Sequence, residues 1–464
     1  MPIELGLMTM KPCSCLLLPK QWPSQVSDCL KKSPVEKTPD IFIVDYIFNV
    51  CNIIFINYTD RVNAMRKDQI QILAGKFLKI SFFAFYGFHV SPISAETSES
   101  MASAEVRKQL QKMVEDREAP GLQYQFSSAE DPILSFEAGK ADILNTTFVS
   151  ANTSFLGFSV TKTFTALAIL QLAKEKKLSL DDPLSKYLDY LPYEKSPSIR
   201  QTLNHTGGFS NPIPLSWSHL EEEHSRFSKS EFIYKILKEN NKLQSEPGEK
   251  FKYSNLGFLL LGEVIERVSG LSYQEYIQKN IISKLSLKEG ELLGFESLEP
   301  PFSAIGYIKR FSILNAALGW FIDRDQFISG SQEGWSAFRK YYINGDGYGG
   351  IVGNAKGFSK YLQSFIKSNG VFSEYAPELF GPITNQKKFP VNLGWYRGEL
   401  NGTTFFAHAG GGGGFYCEIR VYPSLSKTSV LMTNRTGVSD ERLLDEIDLP
   451  FIKAYPEKRN KTIE

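Results

Sequence analysis

The stretch Phe158–Pro183, FSVTKTFTALAILQLAKEKKLSLDDP, constrains this chain more than any other. Leu167, Leu170, Ala173 and Leu178 recur on one side, which predicts an amphipathic helix. At its head Ser159 and Lys162 stand three residues apart and therefore share a face. If the helix begins at Ser159, the hydroxyl sits among backbone N–H groups with no intrahelical partner, at the positive end of the dipole. Lys162 is one turn deeper, between apolar side chains, where burial lowers its pKa and leaves an amine able to accept the serine's proton. A serine beside a desolvated amine is a candidate nucleophile toward an acyl group.

The S-x-x-K spacing alone is weak, since it recurs at Ser364–Lys367 and Ser424–Lys427. Ser364 falls inside a predicted helix, Lys356–Lys367, and so lacks the terminal position that distinguishes Ser159. The chain has 464 residues, 42% of them hydrophobic and 22% charged, enough for a large core. Its net charge of +1 gives no electrostatic case for nucleic acid; a neutral small molecule or peptide is the expected substrate.

Residues 1–64 read unlike the rest and hold four of the five cysteines, Cys13, Cys15, Cys29 and Cys51. The apolar run Ile41–Tyr58 suggests a membrane tether, but Asp45, Asn49 and Asn52 interrupt it. The competing reading starts at Met65. There Lys76 and Lys79 precede an apolar stretch, Ile80–Val90, and a small residue, Ala95, as in a secretory signal. Residues 1–64 are then a dispensable extension, 65–95 a signal peptide, and the protein is exported, periplasmic or extracellular, with Cys417 its single cysteine. Cys13-x-Cys15 lacks partnering histidines, and no metal or cofactor is expected.

Folded protein is expected over 101–455. Val106–Arg117 reads as a helix, Gly121–Phe126 and Ile133–Glu137 as strands, and Asp182-Pro183 as the cap and first residue of a further helix. Trp217–Asn240 reads as polar and helical. On that reading His219 and His224, five apart, do not share a face and are surface residues. Residues 300–370 yield loops and the helix near Lys356. Asn392–Leu400, Thr403–His408, Phe415–Tyr422 and Thr428–Asn434 read as antiparallel strands, with Asn401-Gly402 as a hairpin turn and a closing helix over Asp440–Ala454.

Two more segments carry chemistry. Lys250–Asn255 is extended and feeds an apolar helix, Leu256–Val268, so Tyr253 and Asn255 project to the same side. A phenol can move a proton and an amide can hold a carbonyl, although the pair alone also reads as a core tyrosine beside a capping asparagine. His408-Ala409 followed by five glycines, Gly410–Gly414, lies between two strands, where glycine means close approach by a ligand or another backbone. The N–H of Gly411 could then join that of Ser159 around an oxyanion.

Taken together, Ser159-x-x-Lys162, Tyr253-x-Asn255 and His408-Ala409-Gly410 resemble, in order and separation, the penicillin-recognising serine hydrolases. The likeness is closest to the class C β-lactamase-like branch, which includes D-alanyl-D-alanine carboxypeptidases, D-amino-acid peptidases and esterases. It spans roughly Met101–Lys453 and is carried also by LSLDDPLSKYL, LNHTGGFS, EPGEKFKYSNLGFLLLGEVIERVSG and AHAGGGGGF. The resemblance implies an α+β fold of the β-lactamase/transpeptidase type: an antiparallel sheet flanked by helices, fed by both chain ends (101–158 and 390–455), with a large helical region (159–389) inserted. It implies Ser159 as nucleophile, Lys162 and Tyr253 as proton carriers, Asn255, His408 and Gly410 as substrate-binding residues, and the N–H groups of Ser159 and Gly411 as an oxyanion hole. It makes the His205-Thr206-Gly207-Gly208 segment structural.

His408 and Ala409 depart from the lysine and the threonine or serine of β-lactamases, removing a permanent cation and a hydroxyl that grip a carboxylate. The expectation is an esterase or D-amino-acid peptidase or carboxypeptidase acting through an acyl-enzyme. The alternatives are a β-lactamase proper and a non-catalytic binder of cell-wall fragments. A conventional triad is disfavoured because no G-x-S-x-G elbow occurs.

Overall fold

The structure, a computed structural model, describes residues 97–212, 217–295, 302–319, 323–381, 391–438 and 442–455. The expected extension over 1–64 and the expected signal over 65–95 lie outside the described residues. Among the described residues no helix is long and apolar enough to cross a membrane.

One antiparallel sheet of eight strands organises the fold. Its strands are β1 (Gly121–Ser128), β2 (Pro132–Asp142), β3 (Thr147–Phe148), β4 (Val391–Asn392), β5 (Trp395–Leu400), β6 (Thr403–Gly412), β7 (Phe415–Tyr422) and β8 (Lys427–Thr433). Their spatial order is β4-β5-β6-β7-β8-β1-β2-β3, so among the described residues the last strand pairs the first, Leu122 opposite Thr433 and Ser128 opposite Lys427. The β5–β6 hairpin turns at Asn401-Gly402, both at positive φ (49° and 83°), as the right-handed twist of a two-residue turn requires.

Side-chain alternation in β1 assigns its faces. Leu122, Tyr124 and Phe126 pack against α1 (Ser98–Glu115) and α5 (Leu444–Ala454), where the Phe126 and Phe451 rings stack at 4.2 Å. Helix α1 begins eight residues before the predicted start because Thr97 caps it, accepting the Ser100 N–H at 3.2 Å. The polar alternates of β1 are buried as well. Gln123 accepts the Ala355 N–H at 2.9 Å, and Ser127 lies 2.9 Å from Ser359, both on α4 (Ala355–Ile366). An alternating strand that reads as half-exposed is thus covered on both faces, with Gln123 and Ser127 paired to a helix and Gln125 to Ser127 and Ser135.

The opening helix, α2 (Thr161–Lys174), is the axis of the second core. Every residue from Thr161 to Leu172 is buried, so it is enclosed all round rather than amphipathic. Its threonines are satisfied locally or by neighbours: Thr163 donates to the Val160 carbonyl at 2.8 Å and Thr165 to that of Gly347 at 2.6 Å. Beside it runs α3 (Asn255–Ser269), ended by Gly270 at φ 72°.

Three expectations are corrected. Asp182-Pro183 starts only a 3-10 turn, Leu184–Lys186, because Pro183 is extended at ψ 146°. Residues 217–240 hold a strand, Ser218–Leu220, and a 3-10 segment, Glu221–Arg226, before the helix Lys229–Glu239. His219 is therefore buried, stacked on Phe227 and hydrogen-bonded to Asn344 and, at 2.9 Å, to His224; only His224 is exposed. Between 302 and 343 a three-stranded sheet forms from Tyr307–Lys309, Ile328–Gln332 and Trp335–Phe338, which the aromatic, glycine-rich sequence did not announce.

Candidate active site

The serine turn is set by its neighbours. Phe158–Val160 forms a 3-10 turn that runs into α2, and Phe158 holds φ 45°, a conformation that costs a non-glycine residue roughly 1–3 kcal/mol. That kink turns Ser159 into a cleft while the Phe158 ring packs against Phe415. Gly410 on β6 passes so close that a Cβ there would lie 2.2 Å from the Gly157 carbonyl oxygen and 2.7 Å from the Ser159 nitrogen. The third motif is thus pressed directly onto the serine turn.

Lys162 is fully buried, and its Nζ meets three oxygens: Ser159 Oγ at 3.0 Å, Asn255 Oδ1 at 2.8 Å and the Tyr348 carbonyl at 2.9 Å. Two of these can only accept. A neutral amine has two N–H donors and one lone pair, so satisfying both carbonyls leaves the lone pair facing the Ser159 hydroxyl. Desolvation pushes the lysine well below its ordinary pKa, which favours that neutral form. The Tyr253 hydroxyl donates to Ser159 Oγ at 2.8 Å from the other side.

Asn255 opens α3 and is aligned by Asn211, whose Oδ1 accepts both the Asn255 backbone N–H (3.0 Å) and its Nδ2 (3.1 Å). With its Nδ2 so engaged, the amide oxygen is turned to Lys162. Asn211 and the Tyr348 carbonyl were missed in the sequence. Asn211 closes the LNHTGGFSN segment, but nothing in its spacing points to Asn255, and a backbone carbonyl leaves no side-chain signal.

His408 does not line the cleft. It is 2% exposed, its Nδ1–H donates to the Ala409 carbonyl at 2.7 Å, and burial lowers its pKa to about 3. It is not a titrating cation for a substrate carboxylate in the neutral range, which corrects the expectation of a direct binding role. Gly410 is pressed against the serine turn, with no room for a side chain between β6 and that turn. Gly411 is exposed and, with Ser159, lines the cleft; β5 pairs β6 only as far as Ala407, so among the described residues the edge of Gly411 away from β7 has no strand beside it.

The cleft is walled by Phe158, Trp217, Phe327, Phe338, Tyr341 and Ile343, with Ser159, Asn255 and Gly411–Gly413 at its base. No Asp, Glu, Lys or Arg is among the described residues lining it. The other two S-x-x-K serines lie elsewhere: Ser364 is buried within α4 and donates to the Tyr361 carbonyl, and Ser424 lies in a 3-10 turn.

The family model described as Beta-lactamase matches residues 106–449, well over half of the chain. The chain belongs to the beta-lactamase family. This is a family of serine hydrolases. Penicillin-binding protein 4* of Bacillus subtilis (strain 168) is 24% identical over 343 residues, covering 71% of this chain and 72% of that protein. Protein flp of Staphylococcus aureus (strain COL) is 33% identical over 156 residues, only 32% of this chain and 30% of that one. Among solved structures, the octameric penicillin-binding protein homologue from Pyrococcus abyssi superposes with a TM-score of 0.61 at 21% identity, covering 77% of this chain and 78% of that one. The D-amino acid amidase from Ochrobactrum anthropi SV3, complexed with L-phenylalanine amide, gives 0.62 at 18% identity, covering 76% and 98%. At these identities the likeness establishes the β-lactamase/transpeptidase-like fold, as expected.

Proposed function

We propose that this beta-lactamase family member is an exported hydrolase of uncharged esters or amides that carry an apolar acyl group, working through a Ser159 acyl-enzyme. The observation that carries this reading is the buried Lys162 Nζ, 3.0 Å from Ser159 Oγ and bonded to the Asn255 and Tyr348 carbonyl oxygens, which as a neutral amine has its lone pair left for Ser159. Ser159 Oγ attacks the substrate carbonyl and its proton passes to Lys162, while the N–H groups of Ser159 and Gly411 hold the oxyanion. Tyr253 delivers a proton to the leaving alcohol or amine as the tetrahedral intermediate collapses. Water then attacks the acyl-enzyme by the same route in reverse, releasing the acid and restoring Ser159.

Substrate preference follows from the cleft wall. Aromatic and aliphatic side chains favour an apolar acyl group, and with no cationic side chain lining it a free carboxylate would be desolvated without a partner. That places simple esters and N-acylated amino-acid amides ahead of penicillins and of peptides cut at a free C-terminus. The amidase likeness supports the amide branch. Export rests on the pattern at 65–95.

The test is turnover of p-nitrophenyl butyrate, N-acetyl-D-phenylalanine amide and benzylpenicillin by wild type and Ser159→Ala. The ester or the amide should exceed the penicillin in kcat/KM by at least about a hundredfold, a difference of ~2.7 kcal/mol, with all turnover lost in Ser159→Ala. Equal efficiency on penicillin, or activity surviving in the variant, would refute the proposal.

A further inference from the structure

His205 follows the short helix Ile199–Leu203 and holds φ 55°, outside the conformations an ordinary residue prefers. There it grips the next motif at two points. Its carbonyl accepts the Lys252 N–H at 2.7 Å, and its ring Nδ1 accepts the Ser254 N–H at 3.2 Å. The residue between those two amides is Tyr253, whose ring lies 4.6 Å from the imidazole, centroid to centroid. Phe251 and Phe258 pack the ring from other sides, leaving it 2% exposed.

We propose that His205 is a positioning residue for Tyr253, fixing the backbone on both sides of residue 253 so that the phenol meets Ser159. The role requires the tautomer with hydrogen on Nε2, because only an unprotonated Nδ1 can accept from Ser254. The titratable groups around it are Lys162 on α2, Tyr253 itself and His408 on β6. Burial disfavours the imidazolium, which agrees with the need for an acceptor. Asparagine is the conservative replacement: its Oδ1 takes the place of Nδ1, and it tolerates positive φ. Phenylalanine keeps the ring and removes the acceptor.

The inference rests on Tyr253 being the proton carrier, so its test is a double-mutant cycle on p-nitrophenyl butyrate with His205→Phe, His205→Asn and Tyr253→Phe. His205→Phe should lower kcat by about ten- to a hundredfold with KM within about twofold, and His205→Asn should restore most of it. In the Tyr253→Phe background His205→Phe should cost less than about twofold, because the group it serves is gone. The same loss in both backgrounds, or equal losses for Asn and Phe, would overturn the inference. If His205→Phe does not fold by thermal melt, His205→Ala takes its place with the same expectations. Failure of the catalytic reading itself shows separately, as ester turnover that survives Ser159→Ala.

Discussion

Lys162 carries the chemistry because of how many bonds it can make, not only where it sits. Three oxygens surround Nζ, two of them carbonyls, so the neutral amine that burial favours keeps its lone pair for the Ser159 hydroxyl. Lys162→Arg puts a permanent cation with no available lone pair in place of the amine, so ester turnover should fall by at least about a thousandfold. The pH dependence has a definite sign. The folded pKa is depressed, so the base form appears at a pH well below that of an ordinary lysine, and kcat/KM should rise with pH to a plateau before the usual lysine range. A limb that rises only near pH 10.5, the ordinary lysine value, would contradict a buried base. Ser159, Lys162, Tyr253 and Asn255 were legible in the sequence because each is a side chain at a fixed spacing. His205, Asn211 and the Tyr348 carbonyl were not, since they act by orienting or accepting from segments distant in sequence.

At the scale of elements, the glycine run divides by position. A Cβ at Gly410 would meet backbone at 2.2 Å, whereas one at Gly411 has nothing nearer than 3.6 Å. Gly410→Ala should therefore destabilise the fold by about 2–4 kcal/mol and separate β6 from the serine turn. Gly411→Ala should fold with near-native stability, as thermal melts of the two variants would show. Equal melting temperatures would argue against the close approach. The run was readable as a place of close approach, and β6 continues through it to Gly412. The sheet near Tyr307–Phe338 was hidden by short strands without alternation. His219 was misread because a five-residue spacing separates two side chains on a helix but not across a strand and a 3-10 turn.

For the whole molecule, both ends of the described chain are needed to complete the sheet, and α1 and α5 seal its outer face. Phe451 stacks on Phe126 within that seal, and Phe451→Ala should cost about 3–5 kcal/mol in chemical denaturation while leaving folded protein active. A negligible cost would mean that α5 is not part of the core. This architecture was legible because strand signals cluster at 121–137 and 392–434, with helical sequence between them. The buried amides of β1 were not, because polar alternation reads equally as solvent contact. What the assembled fold delivers is one serine between a phenol and an amine. The direct test is intact-mass analysis with peptide mapping after brief exposure to a fluorophosphonate. The account predicts a single adduct on Ser159, absent from Ser159→Ala and strongly slowed in Lys162→Arg; an adduct on another residue, or labelling at an unchanged rate in Lys162→Arg, would contradict it.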